Sequence, residues 1–98
     1  MKLIRSTVEF DKWFAKLKDK SAKIRIDIRL KRLAEGNSGD VKPVGDGISE
    51  LRIDYGSGYR VYYKDTGKEI IILLCGGDKR TQTADIAEAK RIWHSMEV

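Results

Sequence analysis

The residues best suited to chemistry are cations on and beside two alternating segments in the second half of the chain. Arg52 and Arg60 bring guanidinium groups, and Lys79 and Arg80 follow an apolar segment shortly afterwards. Guanidinium and ammonium groups bind phosphate through charge-assisted hydrogen bonds, which guanidinium often makes in pairs. Tyr62 adds an aromatic plane on which an unpaired base can stack. These residue types therefore favour a surface that binds RNA or other phosphate groups.

Ordinary ion pairing within a sheet is the alternative role for these cations. If Tyr55 faces Tyr59 across the turn between the two segments, Asp54 lies opposite Arg60. A cross-strand ion pair of this kind stabilises a sheet without any ligand. The residue types alone leave both interpretations open.

Several other kinds of site are excluded by composition. Cys75 and His94 are each single, so neither an internal disulfide nor a multi-histidine metal site can form, and we expect no metal or cofactor. The longest apolar run, residues 70–75, is too short to span a bilayer, and no apolar segment follows Lys2 and Arg5. We therefore expect no signal peptide, no contact with a membrane and a cytoplasmic location.

Charge is distributed unevenly along the 98 residues, which carry a formal net charge of +5. Residues 1–35 contain 11 Lys and Arg against 5 Asp and Glu, whereas residues 36–98 contain 9 against 10. Such a basic surplus is typical of a chain that binds nucleic acid or an acidic partner, although a solvated helical surface also explains it. The length and the lack of a linker predict one domain, residues 1–98.

The first third of the chain predicts a short strand followed by two helices. Residues 2–5 form the strand, and Ser6 with Glu9 forms a capping box that starts the first helix. Residues 21–36 fit both a helical stripe and a strand-like alternation, and we choose helix because the stretch is too long for an ordinary strand. Apolar side chains of the first helix recur at helical spacing: Phe10, Trp13, Phe14 and Leu17.

The rest of the chain predicts a loop, a hairpin, a buried strand and a last helix. Residues 37–47 form the loop, which carries Lys42, and the hairpin joins residues 48–55 to residues 59–64. Residues 70–75 form a central strand, and Thr81 or Thr83 caps a helix with Ile86, Ala89, Trp93 and Met96 on one face. Alternation assigns one hairpin face to the core (Leu51, Ile53, Tyr55, Tyr59, Val61, Tyr63) and leaves the other open (Glu50, Arg52, Asp54, Arg60, Tyr62, Lys64). The fold class is thus α+β, in the order β-α-α-β-β-β-α.

Two motifs carry a resemblance to a known family: Gly-Tyr-Arg-Val-Tyr at residues 58–62 and Cys-Gly-Gly-Asp-Lys at residues 75–79. Similar positions in the first helix and in the loop at residues 36–43 extend the resemblance over nearly the whole chain. The chain resembles the RelE/ParE superfamily of bacterial toxins, and within it the HigB-like addiction module killer branch. The resemblance implies a RelE-like fold, with two N-terminal helices and a C-terminal helix packed on a small, mainly antiparallel, twisted sheet.

The same resemblance implies a toxin that enters the ribosomal A site, cuts mRNA there and is held inactive by an antitoxin. Enzymes of this kind need no metal: the ribose 2′-OH attacks the adjacent phosphorus while cations hold the developing charge. Arg60 matches the hairpin arginine of the family, which stabilises the transition-state phosphate. Arg52 matches a basic residue on the preceding strand, and Lys79 matches a cation that neutralises phosphate or assists the leaving 5′-oxygen.

The general base is less well defined by the resemblance. Asp85 stands where many RelE-type enzymes have a tyrosine, and His94 is followed by Ser95 where HigB-type relatives have a histidine–tyrosine pair. Asp85, Tyr62 and His94 are therefore the candidates that accept a proton. Further candidates for contact with RNA are Lys42, Lys64, Arg80 and His94.

Two other functions stay open. ParE-like toxins share the fold but inhibit DNA gyrase by protein contact, and a non-catalytic module would bind RNA or a partner without cutting. The retained cations at positions 52, 60 and 79 favour the nuclease.

An antitoxin-binding surface is predicted on the second helix. Ile24 and Ile28 lie off the main apolar stripe, among basic residues such as Arg25, Arg29 and Arg32. An acidic, amphipathic segment would fit an apolar strip ringed by cations. We expect the antitoxin to be a helix-turn-helix protein encoded downstream, and the other partners to be the ribosome and mRNA.

Overall fold

The computed structural model describes residues 1–96, which form a five-stranded sheet with α-helices on both faces. The strand order is β1-β5-β4-β3-β2, in which β1 pairs parallel to β5 and all other neighbours are antiparallel. The predicted α+β class is confirmed. The elements are β1 (Leu3–Ser6), α1 (Val8–Lys16), α2 (Lys20–Ala34), β2 (Val41–Gly45), β3 (Ile48–Ile53), β4 (Tyr59–Asp65), β5 (Ile70–Asp78), a 3-10 turn (Lys79–Thr81) and α3 (Gln82–Met96).

The start of α1 differs by one residue from the prediction. Ser6 is paired with Leu73 of β5, so it belongs to the sheet, and Thr7 caps the helix by accepting a 3.0 Å hydrogen bond from the Phe10 amide. The predicted capping box of Ser6 with Glu9 is therefore wrong. The helical interpretation of residues 21–36 is confirmed, since α2 occupies most of that stretch behind an Asp19 cap.

The predicted loop at residues 37–47 contains a strand. β2 pairs with β3, and the two are joined by Asp46 and Gly47, whose φ angles are 57° and 72°. Positive φ at both positions is what a two-residue hairpin turn requires, and Asp-Gly is one of its strongest sequence signals. Pro43 is accommodated because β2 is an edge strand.

The hairpin of β3 and β4 has a different register from the predicted one. Ile53, not Tyr55, lies opposite Tyr59, so Arg52 lies opposite Arg60 and Asp54 follows the end of β3. A shift of two residues keeps each side chain on its face, because the period of a strand is two. The predicted core face is accordingly buried against α1 and α2, apart from the two tyrosines at the turn, which are partly buried.

The second face of the sheet is not open, contrary to the prediction. α3 packs across it and buries Tyr62 with Leu74, Ala89 and Ile92. The start of α3 also differs: neither Thr81 nor Thr83 is the N-cap, because Asp78 caps a 3-10 turn that leads directly into the helix. None of the helices within residues 1–96 has the length and apolar character needed to cross a membrane.

Candidate functional site

A cleft of about 340 Å³ opens at the end of the sheet where β3 ends and β4 begins. It brings together the three cations that the sequence placed in the catalytic site. The residues that line it are Arg52, Arg60, Lys79, Asp40, Asp54 and Gly56–Gly58. Cationic side chains can bind a phosphate group through charge-assisted hydrogen bonds, and carboxylates are groups that can accept a proton.

Arg60 is the most rigidly placed of the three cations. Only 11% of its side chain is exposed, and its Nη1 donates hydrogen bonds to the carbonyl oxygens of Gly58 at 3.0 Å and Tyr59 at 3.2 Å. Its Nε is buried without a hydrogen-bond partner and lies 3.8 Å from Oε1 of Glu50. The predicted pairing with Asp54 is wrong, because the register places Arg52 opposite Arg60.

Arg52 is held more loosely. Its Nε and Nη2 donate to Oδ1 of Asp40 at 3.3 and 3.0 Å, and the two side chains are 36% and 56% exposed. A half-exposed pair of this kind contributes little to stability, so a phosphate can replace the carboxylate at small cost. Arg29 of α2 supports the backbone below, donating to the carbonyl oxygens of Arg52 at 2.6 Å and Ser38 at 3.1 Å.

Lys79 reaches the cleft because a glycine lies beneath it. A Cβ built on Gly58 would lie 3.2 Å from Cβ of Lys79 and 3.4 Å from Nη1 of Arg60, and the φ of Gly58 is +80°. A side chain at position 58 would therefore be strained and would crowd both cations. The Lys79 side chain is exposed at the start of the 3-10 turn, where it can move toward a ligand.

Glu50 was not among the predicted site residues, and it is 1% exposed. One carboxylate oxygen accepts hydrogen bonds from the hydroxyl of Tyr62 at 2.9 Å and from Nε2 of Gln82 at 3.0 Å. The other oxygen faces Arg60. The only signal in the sequence was an acidic residue on the same face as Arg60 and Tyr62, which the predicted open face assigned to solvent.

Tyr62 and Asp85, two candidates for the general base, do not line the cleft. Tyr62 is fully buried, so its ring is not available for stacking, and burial together with the Glu50 hydrogen bond raises the pKa of its hydroxyl. Asp85 lies in the first turn of α3 against Gly77 and accepts a hydrogen bond from Thr81. Burial raises the pKa of the Asp85 carboxyl above its ordinary value.

Lys64 and His94 lie together at the opposite end of the sheet from the cleft. Nε2 of His94 is 2.9 Å from Oδ2 of Asp46, and this hydrogen bond lowers the pKa of Asp46. Nζ of Lys64 lies 5.1 Å from the centre of the Trp93 ring. These contacts fasten the end of α3 to the β2–β3 turn.

Arg80 and Lys42, the other candidates for RNA contact, lie outside the cleft as well. The Arg80 side chain is 80% exposed and pairs with Asp78 at 2.8 Å, one residue from Lys79. Lys42 is exposed on the edge strand β2, opposite Glu50.

The predicted apolar strip on α2 is exposed. Ile24 and Ile28 have 60% and 45% of their surface accessible. Beside Ile28 lies a second cavity of about 270 Å³, lined by Arg25, Arg29, Arg32, Ile53 and Asp54. Asp54 lines both cavities, so the α2 surface and the cleft adjoin each other.

Comparison with solved structures defines the fold. The chain resembles a chain in the crystal structure of the intact Escherichia coli RelBE toxin–antitoxin complex, with a TM-score of 0.64 and 15% sequence identity. The match covers 80% of this chain and 96% of that one. The fold is therefore RelE-like, as the sequence predicted.

Sequence comparison then gives the family. Residues 11–97 match the model of a family described as phage derived protein Gp49-like (DUF891), and the chain belongs to that family. A Haemophilus influenzae protein described as an uncharacterized protein is 58% identical over 87 residues, which are 89% of this chain and 88% of that protein.

Proposed function

We propose that the protein is the toxin of a type II toxin–antitoxin system, of the HigB-like branch, and that it cleaves mRNA on the ribosome without a metal ion. The observation that carries the proposal is the convergence of Arg52, Arg60 and Lys79 on one cleft. The RelE-like fold and the two sequence motifs support it.

The proposed reaction is an internal transfer at phosphorus. The ribose 2′-oxygen forms a bond to the adjacent phosphorus as the bond to the 5′-oxygen breaks, leaving a cyclic 2′,3′-phosphate and a 5′-hydroxyl. Arg60 stabilises the negative charge that develops on the phosphoryl oxygens, because its guanidinium is already fixed at the cleft. Arg52 exchanges Asp40 for a phosphate oxygen, and Lys79 approaches the leaving oxygen.

Asp54 is the residue we assign to accept the 2′-hydroxyl proton. It lines the cleft with the three cations, whereas Asp85 and Tyr62 do not. The proton that leaves the 2′-oxygen passes to the Asp54 carboxylate, and the leaving 5′-oxygen takes a proton from Lys79 or water.

The proposed antitoxin binds α2. The part of the antitoxin that contacts α2 is an acidic, amphipathic segment. Its apolar side chains contact the exposed Ile24 and Ile28, and its acidic side chains pair with the arginines that flank them, Arg25, Arg29 and Arg32. We propose that this partner is a helix-turn-helix protein encoded downstream. A segment seated there would extend to the rim of the cleft at Asp54.

Pulse labelling of bacteria that express this chain alone tests the function. We expect incorporation of labelled amino acids to fall first, since the proposed target is translated mRNA. If thymidine incorporation stops first while protein synthesis continues, the protein acts as a ParE-like gyrase inhibitor. If neither falls, it is a non-catalytic binding module.

A further inference from the structure

We propose that Glu50 is a positioning residue that holds the guanidinium of Arg60 at the cleft, and that Tyr62 and Gln82 fix Glu50 in turn. The inference rests on the proposed cleavage, in which Arg60 stabilises the transition state. None of these three side chains lines the cleft, so they would act only through Arg60.

The two oxygens of the Glu50 carboxylate have different partners. Oε2 accepts from the Tyr62 hydroxyl at 2.9 Å and from Nε2 of Gln82 at 3.0 Å. Oε1 lies 3.8 Å from Nε of Arg60, at ion-pair distance but beyond a hydrogen bond. Glu50 lies opposite Tyr62 in the sheet, and Gln82 is the first residue of α3, so three elements fix this carboxylate.

Burial makes the pairing strong enough to orient Arg60. Glu50 is 1% exposed and Tyr62 is fully buried, so little water competes with the attraction between carboxylate and guanidinium. On the other side of the guanidinium, Nη1 is held by the carbonyl oxygens of Gly58 and Tyr59. The guanidinium is thus attracted to Glu50 on one side and hydrogen-bonded to the backbone on the other, a preorganised placement of the kind that a transition-state donor needs.

Stability alone is a poor explanation for this arrangement. Apolar side chains of similar volume in place of a buried ion pair are often neutral or stabilising. Nε of Arg60 makes no hydrogen bond to Glu50, so the pair contributes less to stability than a hydrogen-bonded pair would. The arrangement is better explained by a requirement on the orientation of Arg60.

Nuclear magnetic resonance of the arginine side chains tests the positioning directly, with no need for activity. The measured quantity is the rate of rotation about the Nε–Cζ bond of Arg60 in the wild type and in Glu50→Gln, with Arg52 as an internal reference. We expect rotation at Arg60 to become at least about tenfold faster, because the charge of Glu50 is lost, and rotation at Arg52 to stay unchanged. An unchanged rate at Arg60 would overturn the proposal.

Kinetics on programmed ribosomes add a second test. We expect Glu50→Gln to lower kcat about 10- to 100-fold with little change in KM, as a misplaced catalytic group does. In the Arg60→Ala background the same substitution should have no further effect. The exposed Glu35→Gln serves as the matched control, with wild-type kcat expected. A full additional loss from Glu50→Gln in the Arg60→Ala background would show that Glu50 does not act through Arg60.

A second variant keeps the proposal testable if Glu50→Gln does not fold. Tyr62→Phe removes the hydroxyl that holds Oε2 and preserves the ring, so it should produce the same changes at Arg60 with smaller amplitude. Failure of the proposed function is distinguishable from failure of this inference. If the wild type cuts no RNA, the proposed cleavage is wrong. The rotation rates at Arg60 still decide whether Glu50 positions its guanidinium.

Discussion

At the scale of single residues, Arg52 and Arg60 lie opposite each other in the sheet but have different surroundings. Arg60 is fixed between a buried carboxylate and two backbone carbonyls, whereas Arg52 is half-exposed and pairs with Asp40. Rigid placement favours charge stabilisation in the transition state, and an exchangeable pair favours ground-state binding. We therefore expect the loss of Arg52 to affect mainly KM.

The proton acceptor gives a prediction at the same scale. Asp54→Asn should slow cleavage about 10²- to 10⁴-fold, because a positioned general base contributes about that much. Asp85→Asn is the matched control and should cut at nearly the wild-type rate, since Asp85 does not line the cleft. The measurement is the single-turnover rate of mRNA cleavage on programmed ribosomes by the two variants and the wild type. If the cleavage rate instead falls strongly in Asp85→Asn, Asp85 on α3 is the general base.

The sequence singled out the three cations that line the cleft, but not their environment. Residue type and the resemblance were sufficient for Arg52, Arg60 and Lys79, because anion binding depends on charged groups that the sequence states directly. Glu50 was missed because strand alternation shows which residues share a face, not whether a helix covers that face. A buried glutamate and an exposed one look the same in the sequence.

At the scale of elements, the packing of α1 on β5 depends on a glycine. A Cβ at Gly76 would overlap the indole of Trp13. We expect Gly76→Ala to lower the free energy of unfolding by about 1–3 kcal/mol, as overpacking does, measured by urea denaturation. In a Trp13→Leu background the same substitution should cost much less. An equal cost in both backgrounds would show that the Trp13 contact is not the cause.

The start of α3 carries a pH-dependent contribution to stability. Burial raises the pKa of Asp85, so the folded state binds its proton more tightly than the unfolded chain does. Protonated Asp85 thus favours folding below the unfolded pKa, and this contribution is lost as the pH rises through the folded pKa. Asp85→Asn should therefore raise Tm at pH 7 but not at pH 3, with the exposed Asp27→Asn unchanged. A lower Tm at pH 7 would contradict this.

The exposed strip on α2 gives the third prediction at this scale. Replacing Ile24 and Ile28 with Ser should weaken binding of the proposed antitoxin about 10- to 100-fold, since two apolar side chains would lose their buried contacts. Val8→Ser, at an equally exposed apolar position on α1, is the control. Isothermal titration of the purified pair measures the affinity. Equal affinity of the double variant and the wild type would place the antitoxin elsewhere.

At the scale of the whole molecule, the sequence predicted the class of the fold. The differences between the predicted and the observed structure follow from the packing of the elements on one another. Periodicity predicted the first helix and the presence of the hairpin, because it reflects which face of an element is buried. The length of the stretch, not its periodicity, decided the second helix, and the register of the hairpin was predicted wrongly. Strand β2 was predicted as a loop because it contains Pro43 and Gly45 and is followed by Gly47. These residues are typical of loops, but they also fit an edge strand that ends in a two-residue turn. The packing of α3 on the sheet is a tertiary contact, which no local sequence pattern predicts.

The cleft lies at one end of this sheet, and α3 is fastened at the other end through His94 and Asp46. The contacts at the C-terminal end of α3 thus lie away from the proposed chemistry. Lys64 and His94 contribute to those contacts, so their substitution should affect stability more than cleavage.

Single-turnover cleavage of mRNA on programmed ribosomes by Arg60 variants is the sharpest test of whether Arg60 stabilises the transition state of cleavage. Arg60→Ala should cut about 10²- to 10³-fold more slowly than the wild type, the usual cost of losing one transition-state donor. Arg60→Lys should recover only part of the rate, because an ammonium group lacks the paired donors of a guanidinium. The exposed Arg91→Ala on α3 is the matched control and should cut normally. Cleavage by Arg60→Ala at the wild-type rate would show that Arg60 does not stabilise the transition state.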